Sequence, residues 1–442
     1  MPHHRLHSAP SVLLAFASAA LLLACSAGNS GGNGSGASSN DGGSGATSNT
    51  GGTDNPTGPG SGGNGGSTGE FMGVGGGTVQ PGCDSGPNDD KDLDGFTPSQ
   101  GDCNDCDKNA NPGAIEVIGD TSDPDYTPAD EDCDGTSDVL PALCDGSLTL
   151  ADTDAMNGAR AMDLCQTATA GDKKWGVLDA KYVRANGSNF SPSIQAGLQS
   201  NFGSNVSVRK GSRMLMLSSG NARLPNQSSA CGALTCTHSA GGTPPPGFPQ
   251  DNPNCPPSTN INDDVGLELK IRSPTNATGY SFDFKFYSFE FPEYVCDSYN
   301  DQFIALVTPP PQGSINGNIS FDNKGNAVSV NLGFFDVCDP GGQADYAYWC
   351  NVFGGNCPNP PVPYCPSGAA ELTGTGFDTW DSAGATVWLK SQAPVTGGQE
   401  FTVRFAIWDT GDQALDSSVI VDNFAWIANG ATVSVGTTPV PQ

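Results

Sequence analysis

The pattern Asp-x-Asp-x-Asp-Gly occurs twice in this chain, first from Asp90 to Gly95 and again from Asp130 to Gly135. Both copies lie within a stretch from Cys83 to Cys144 that is rich in aspartate and poor in apolar residues. A stretch like this buries too little apolar surface to offset the entropy lost on folding, so a hydrophobic core cannot hold it together. Carboxylates at every second position let a tight turn surround a hard cation, and the glycine lets the backbone bend. The repeat therefore predicts a small metal-binding module.

Calcium is the cofactor that suits these side chains best. It accepts several oxygen ligands in flexible geometry, whereas magnesium requires a stricter octahedron. An EF-hand is not predicted, because Gly101 stands where that loop would carry its bidentate glutamate. The predicted metal ligands are Asp90, Asp92, Asp94, Asp102, Asn104, Asp105, Asp107, Asp130, Asp132, Asp134 and Asp138. The alternative is that these aspartates only stabilise turns in a solvated loop.

The same stretch resembles the MopE-type metal-binding motif of myxobacterial surface proteins. Four pieces in the same order carry the resemblance: Asp92–Phe96, Gly101–Asp105, Asn111–Glu116 and Asp130–Gly135. The label of that family implies copper as an alternative ion. Copper sites use histidine, cysteine and methionine, and this module contains no histidine or methionine. Calcium therefore remains the preferred cofactor, with copper second.

The first 24 residues predict export. An uncharged apolar run from Val12 to Ala24 is too short to span a bilayer in the mature protein. It is followed by Cys25 in the sequence Leu-Leu-Ala-Cys, which resembles the lipobox of bacterial lipoproteins. The resemblance implies cleavage before Cys25 and lipidation of Cys25, which would anchor the chain stably to the membrane. We expect a protein on the outer membrane or cell surface; the alternative is an ordinary signal peptide cut near Ala24.

Export would move the other cysteines out of the reducing cytosol, so disulfides are the default prediction. Of the 15 cysteines, 15 − 1 = 14 remain once Cys25 is set aside. The candidates are Cys83, Cys103, Cys106, Cys133, Cys144, Cys165, Cys231, Cys236, Cys255, Cys296, Cys338, Cys350, Cys357 and Cys365. Two pairs, Cys231 with Cys236 and Cys350 with Cys357, are close enough in sequence for local disulfides. Zinc is disfavoured because the mature chain keeps a single histidine, His238.

The formal charge of -29 at pH 7 excludes nucleic acid as a plausible partner, because both polymers would repel each other. Composition divides the chain into a signal peptide (1–24), a disordered Gly/Ser/Asn-rich tether (25–82), the Asp/Cys-rich module (83–144) and a large domain (145–442). The tether has too few apolar residues to fold. Its length would hold the folded part away from the membrane.

Strand signals dominate the large domain. Aromatic and branched residues are concentrated in Arg213–Ser218, Tyr280–Phe291, Gln302–Thr308, Ala327–Phe334, Phe401–Trp408 and Ser418–Ile427. One helix is predicted over Asp152–Ala168. From Tyr280 to Phe286 apolar residues alternate with polar ones, which predicts one buried face, and the change of register after Phe286 suggests a bulge. We therefore predict a mainly β protein, in which a β-sandwich follows a loop module stabilised by disulfides and calcium.

This domain also resembles the choice-of-anchor L domain of bacterial surface proteins. The residues that carry the resemblance are Gly211–Gly220, Tyr287–Tyr294, Tyr299–Leu306, Phe405–Asp409 and Asp416–Val419. The resemblance implies a jelly-roll-like sandwich displayed on cells and supplies no catalytic residue. Separately, Asn300 and Asp301 precede a predicted strand, and further aspartates cluster near the end of the domain. A second cation site is one interpretation; strand-end capping is the other.

Binding or adhesion is the preferred function, with an extracellular glycan or protein as ligand. No catalytic residue is predicted, because the chain has neither a Gly-x-Ser-x-Gly elbow around a suitable serine nor a His-Glu-x-x-His motif. Two alternatives stay open. One is a surface hydrolase that uses paired carboxylates, and the other is a purely structural display protein.

Overall fold

The computed structural model describes residues 83–192, 194–251, 255–258, 260–330, 337–338, 365, 367–380, 383–428 and 430–441. The predicted signal peptide, Cys25 and the tether lie outside the described residues, as do Cys350 and Cys357. The chain divides into the units Met1–Glu70 and Phe71–Gln442, and every described residue belongs to the second. Among the described residues, none of the helices has the length and apolar character needed to cross a membrane.

The described part of the large domain consists of antiparallel strands and one short α-helix. The helix is α1 (Ala155–Arg160), and the strands are β1 (Gly176–Val183), β2 (Ala196–Gln199), β3 (Asn201–Phe202), β4 (Val206–Ser207), β5 (Met214–Ser218), β6 (Ile261–Arg272), β7 (Gly279–Ser288), β8 (Gln302–Thr308), β9 (Val328–Ser329), β10 (Val337–Cys338), β11 (Gly384–Thr386), β12 (Leu389–Pro394), β13 (Glu400–Thr410), β14 (Ser417–Ile427) and β15 (Gly436–Pro439). Short 3-10 turns occur at Pro98–Gln100 and Gly368–Leu372.

Two sheets form the sandwich. The first sheet has the strand order β1-β6-β13-β8-β9. The second has the order β10-β11-β7-β14-β5-β2, with β12 pairing both β7 and β15. A separate pair, β3 and β4, stands outside both sheets. The mainly β sandwich that the sequence predicts is confirmed.

Aromatic rings of β7 pack against rings of the opposite sheet and form the centre of the core. The Phe282 ring lies 4.9 Å from the Phe405 ring of β13, and the Phe284 ring lies 5.1 Å from the Phe303 ring of β8. All four side chains are buried. Edge-to-face and tilted ring pairs at this spacing add to the free energy gained from apolar burial.

The alternation in β7 predicts one buried face, and the structure buries both faces, because every residue of this strand is buried. Lys285, on the polar face, forms an ion pair of 2.6 Å with Glu371. Asp283 on the same face is bound by Arg209 at 3.1 Å and by Lys390 at 3.5 Å. A polar residue that alternates with apolar ones normally faces water. Here segments distant in sequence cover that face and supply the opposite charges.

The bulge expected after Phe286 is also absent from β7, whose pairing with β14 is regular from Phe284 to Ser288. Tyr287 is buried on the outer face, where its ring lies 4.7 Å from the ring of Phe202. The apolar register changes because both faces of the strand are covered at this end. The irregularity in this pair lies instead between Asp422 and Ala425 of β14.

The predicted helix over Asp152–Ala168 is shorter in the structure. Asp154 caps α1 by accepting a hydrogen bond from the backbone N–H of Met156. Asp163 adopts φ 71°, a left-handed conformation that ends helical structure. Beyond it, Leu164 is buried in the core and Cys165 forms a disulfide with Cys144.

Among the described residues, six disulfides join twelve of the candidate cysteines, which confirms the prediction of disulfides. The pairs are Cys83–Cys106, Cys103–Cys133, Cys144–Cys165, Cys231–Cys236, Cys255–Cys296 and Cys338–Cys365. Two of them lie inside the acidic module, and a third ties its last cysteine to the large domain. The local pair Cys231–Cys236 is as predicted.

The acidic module consists of turns around few buried apolar residues and packs against the sandwich. The side chain of Asn276 makes two hydrogen bonds to the backbone of Ile115. Its Oδ1 accepts from the N–H at 3.1 Å, and its Nδ2 donates to the carbonyl oxygen at 2.8 Å. The indole N–H of Trp175 donates to the carbonyl oxygen of Ala114 at 3.1 Å. Thr275 donates through its hydroxyl to Asn111 at 2.8 Å and through its N–H to Gly113 at 2.9 Å. The segment 111–115 therefore docks the module.

Candidate functional site

The first repeat folds into consecutive turns in which Asp92 and Asp94 each use one oxygen to hold their own turn. Asp92 Oδ1 accepts from the N–H of Asp94 at 3.2 Å, and Asp94 Oδ1 accepts from the N–H of Phe96 at 2.7 Å. Asp102 Oδ1 likewise accepts from the N–H of Asn104 at 2.8 Å. These bonds aim the other oxygen of each side chain away from the turn. Gly95, at φ 96°, supplies the bend that the repeat predicts.

The oxygens aimed away from the turns converge and lack hydrogen-bond donors. Within the described residues, no donor reaches five buried atoms, namely Asp90 Oδ1, Asp92 Oδ2, Asp94 Oδ2, Asp102 Oδ2 and Asn104 Oδ1. Buried polar atoms in native proteins almost always have a partner, so five orphans in one place require an explanation. We call Asp90, Asp92, Asp94, Asp102, Asn104 and Asp105 the first acidic cluster.

The spacing of the first acidic cluster fits a cation. Ligand oxygens of Asp90, Asp92 and Asp94 lie within 4.8 Å of one another, and so do those of Asp92, Asp102 and Asp105. Calcium binds oxygen at about 2.4 Å, so two ligands of one ion lie at most about 4.8 Å apart. Asp92 belongs to both groups and is the central residue of the cluster.

The predicted ligands Asp105 and Asp107 differ in burial and in their distance from the other carboxylates. Asp105 is buried and already holds the chain, because it accepts from the backbone N–H of Lys91 at 3.1 Å and from the Ser85 hydroxyl. Asp107 is exposed and accepts from the N–H and the side-chain amide of Asn109, each at 3.1 Å. Asp107 is not gathered with the other carboxylates of the cluster.

Burial and mutual repulsion make the first acidic cluster costly to ionise in the absence of a cation. Burial raises the pKa of Asp94 to about 6 and also raises the pKa of Asp92 and of Asp102. Neighbouring carboxylates raise these pKa values further. No lysine or arginine of the described residues forms an ion pair with this cluster. A divalent cation would supply the missing positive charge.

The second repeat gathers its oxygens around two glutamates. Ligand atoms of Glu116, Glu131 and Asp138 lie within 4.8 Å of one another, as do those of Glu116, Asp130 and Asp132. Glu131 is 3% exposed; its Oε2 accepts from the N–H of Val117 at 3.2 Å, while no donor among the described residues reaches its Oε1. We call these five residues the second acidic cluster. Burial raises the pKa of Glu131 to about 7 and raises that of Glu116 and of Asp132.

The second repeat therefore differs from the first. Asp130 uses both oxygens for its own turn, accepting from the N–H of Asp134 and from that of Gly135, each at 3.0 Å. Asp134 accepts from the N–H of Thr136 at 2.8 Å and is not gathered with the cluster. Sequence reasoning missed Glu116 and Glu131 because its candidate ligands were aspartates and one asparagine. The positions of both glutamates, inside the pieces that carry the motif resemblance, were the available signal.

The structure also places Asn300 and Asp301, the residues of the predicted second site. Both are buried where the chain enters β8. The Asp301 carboxyl lies within hydrogen-bonding reach of the carboxyls of Glu290 and Asp409. This third acidic group belongs to the sandwich and is far in sequence from the module.

A cavity of about 400 Å³ opens on the sandwich. Its walls include the rings of Phe289, Phe377 and Trp380, together with the polar side chains of Asn221 and Asp416. Aromatic walls with a few polar groups are typical of small-ligand sites. Trp388, in contrast, is buried in the core.

In the part of the chain that the structure describes, the hydrogen-bond partners of the His238 ring are a backbone carbonyl and an amide, not a serine or cysteine side chain. Its Nε2 lies 3.1 Å from the carbonyl oxygen of Gly220 and 3.0 Å from Asn221 Oδ1. Cys231 and Cys236 lie near Asp416, but their sulfurs are joined in a disulfide and are not thiolate ligands.

The chain matches the model of a known protein family. The family model described as the Choice-of-anchor L domain matches residues 160–425, which is more than half of the 442 residues. No curated protein and no solved structure matches the chain.

Proposed function

The chain belongs to the choice-of-anchor L domain family, and we propose that it is a surface binding or adhesion protein whose acidic module is folded around calcium. Membership of the family indicates a protein displayed on the surface or exported. The observation that carries the metal proposal is the convergence of five buried oxygens without donors in the first acidic cluster.

Calcium is the ion that this donor set favours. All ligand atoms of both clusters are oxygens, from carboxylates and one amide. Hard oxygen donors suit calcium and magnesium, whereas copper prefers nitrogen and sulfur. Ligands contributed by flexible turns suit the tolerant geometry of calcium better than the strict octahedron of magnesium. The module has two disulfides to limit its unfolded state, and the ions would replace the apolar core that it lacks.

The attachment and the ligand are further parts of the proposal. Lipid on Cys25 would anchor the chain, and the tether of residues 25–82 would carry the folded part outwards. The cavity beside Trp380 is the part of the sandwich that suits a small ligand, and a glycan fits it because flat rings stack on the apolar faces of sugars. If glycan or protein ligands do not bind and calcium does, the protein is a display scaffold.

The metal proposal is tested on the full-length, detergent-solubilised protein. Bound calcium is counted after equilibrium dialysis, and the melting temperature is measured with calcium and with chelator. We expect bound calcium and a rise in melting temperature with its concentration; at a hundred times the dissociation constant, binding stabilises by about 2.7 kcal/mol. Copper under the same conditions should bind more weakly.

Variants separate the cluster from the general acidity of the chain. Asp92→Asn removes the central ligand of the first acidic cluster and should abolish part of the calcium binding. Asp125→Asn makes the same change of charge at an exposed position of the module outside both clusters and should leave the count unchanged. Equal loss in both variants, or no bound calcium in the parent protein, would contradict the proposal.

A further inference from the structure

The wall of the cavity beside Trp380 contains a buried arginine. Arg223 lies shortly after β5, is 7% exposed, and lines the cavity together with Phe289, Phe377 and Trp380. Arginine is almost never this deeply buried unless an opposite charge pairs with it. The partners of this guanidinium therefore decide what the cavity can bind.

The hydrogen bonds of Arg223 leave one edge of its guanidinium unused. Nη1 donates to the carbonyl oxygen of Ala196 at 2.9 Å and to that of Ala222 at 2.8 Å. Within the described part of the chain, neither Nε nor Nη2 donates to an acceptor. Neither atom is among the fully buried polar atoms that lack a partner, so both are accessible. The N–H groups of this edge form a planar fork that matches the two oxygens of a carboxylate.

No carboxylate of the described residues fills this fork. None of their ion pairs includes Arg223. Burial lowers the pKa of Arg223, and no carboxylate acts on it to oppose that shift; an arginine nevertheless keeps its charge in proteins. Asp416 also lines the cavity, but its two oxygens accept from the N–H of Cys236 at 3.1 and 2.9 Å, and burial raises its pKa to about 7. The counter-charge of Arg223 must therefore come from a ligand.

Other polar groups of the wall are already bonded to the chain. The Asn221 amide donates to the carbonyl oxygen of Ser229 at 2.9 Å. The hydroxyls of Thr375 and Thr379 donate to backbone carbonyl oxygens at 2.6 and 2.7 Å. Hydrogen bonds from a charged donor to a charged acceptor are the strong ones. The free edge of Arg223 is thus the group of the described wall best suited to select a ligand.

We propose that the cavity binds a uronic acid residue of a short glycan, with the sugar carboxylate on the Nε–Nη2 edge of Arg223 and the sugar ring against Trp380. The inference rests on the glycan binding proposed above and adds the class of sugar. The stacked rings of Phe289 and Phe377, 4.3 Å apart, complete the apolar wall. A volume of about 400 Å³ lies within the range of small-ligand sites.

The net charge of the chain limits how many carboxylates such a glycan can carry. A formal charge of -29 repels a polyanion at long range. At physiological ionic strength the screening length is about 8 Å, so distant carboxylates of the protein hardly affect a single contact with Arg223. A glycan with one or few acidic residues therefore fits better than a polymer of them.

Matched ligands test the proposal on the full-length, detergent-solubilised protein. Titration calorimetry measures the affinities of the methyl glycosides of glucuronic and galacturonic acid, of their uncharged amides and of the corresponding neutral sugars. The amide keeps the shape of the acid without its charge. Two charge-assisted hydrogen bonds should make at least one uronic acid bind about tenfold more tightly than its amide.

The possible failures of this titration are distinguishable. Equal affinities for acid, amide and neutral sugar would overturn the role of Arg223 and leave the glycan binding proposed above in place. If none of these sugars binds, both proposals fail. Tighter binding of benzoate than of either uronic acid would assign the cavity to aromatic acids and overturn the choice of a sugar.

Two variants separate the guanidinium edge from the ring. Arg223→Lys keeps the charge but removes the fork, so it should lower the affinity for the uronic acid about tenfold and leave that for the neutral sugar unchanged. Trp380→Ala should weaken all the sugars alike. Arg160→Lys, the same change in α1 outside the cavity wall, is the matched control and should alter neither affinity. A folded Arg223→Lys protein with the affinities of the parent would contradict the proposal. Should this variant fail to fold, the comparison of acid with amide on the parent protein decides the question without it.

Discussion

The acidic module and the sandwich differ in the interactions that can stabilise their folded structures. The sandwich surrounds rings such as Phe282 and Phe405 with two sheets, and its polar strand residues find partners at a distance, as Lys285 does in Glu371. The module has no comparable apolar centre: its buried apolar side chains are one phenylalanine and three alanines, and four carboxylates, Asp102, Asp105, Glu116 and Glu131, are buried with them. Apolar burial needs no ligand, whereas buried carboxylates need a cation. The stability of one region should therefore depend on the solution far more than that of the other.

The largest effect that separates the two regions is expected from the core of the sandwich. Phe282→Ala should lower the free energy of unfolding of the sandwich by about 3–5 kcal/mol, because it leaves a cavity among packed rings. The loss should be the same in calcium and in chelator, since Phe282 binds no ion and distant contributions add. Urea unfolding followed by tryptophan fluorescence measures it, because all six tryptophans lie after residue 144. A loss that disappears in chelator would show that the core itself depends on calcium.

Sequence reasoning succeeded where a pattern is local. It gave β8 with its observed bounds, Gln302–Thr308, and it placed β13 and β14 to within two residues at each end. These strands carry branched and aromatic residues at consecutive positions, a pattern that predicts a buried strand without reference to the rest of the chain. The aspartate turns of the first repeat are equally local, since Asp92 and Asp94 each accept from a backbone N–H two residues later.

What the sequence did not reveal depends on contacts between distant segments. After Ile261, β6 (Ile261–Arg272) continues with Asn-Asp-Asp, which is typical of a turn. Asp264 is nevertheless buried, and Arg184 and the N–H of Ala185 bind its carboxylate. Lys285 is buried beside the carboxylate of Glu371, and this partner lies 86 residues further along the chain. Among the acidic clusters, Glu116 joins residues of the second repeat that are fourteen or more positions away. No periodicity encodes such pairs.

Opposite responses to pH should distinguish the two regions next. Burial raises the pKa of Asp422 in the sandwich to about 8, so the folded state holds a proton that the unfolded state releases near pH 4. The contribution of this proton to the free energy of unfolding is complete below the pKa of Asp422 in the unfolded state. It is lost as pH rises towards 8, by up to about 1.4 kcal/mol per pH unit. In the module, calcium competes with protons on Asp94 and Glu131, whose pKa values are about 6 and about 7. Calcium affinity should therefore increase from pH 5 to 7.

Urea unfolding in chelator across this pH range measures the first response, and calcium titration measures the second. Asp422→Asn should reduce the loss of unfolding free energy of the sandwich with rising pH, and it should leave the calcium affinity of the module unchanged. Parallel pH responses of the two regions would mean that their carboxylates are neutralised in the same way, and the contrast between them would be lost.

The smallest expected effect concerns the surface where the two regions meet. Thr275→Val keeps the shape of the side chain but removes the hydroxyl that donates to Asn111 at 2.8 Å. The loss should weaken the packing of the module against the sandwich by about 1 kcal/mol. Asn111 lies five residues before Glu116, a member of the second acidic cluster. If docking and ion binding stabilise the same conformation of this segment, thermodynamic reciprocity requires that weaker docking also weakens calcium binding. Calcium titration of the variant should then show an affinity up to about five-fold lower. An unchanged affinity would mean that the module folds around its ions independently of the sandwich.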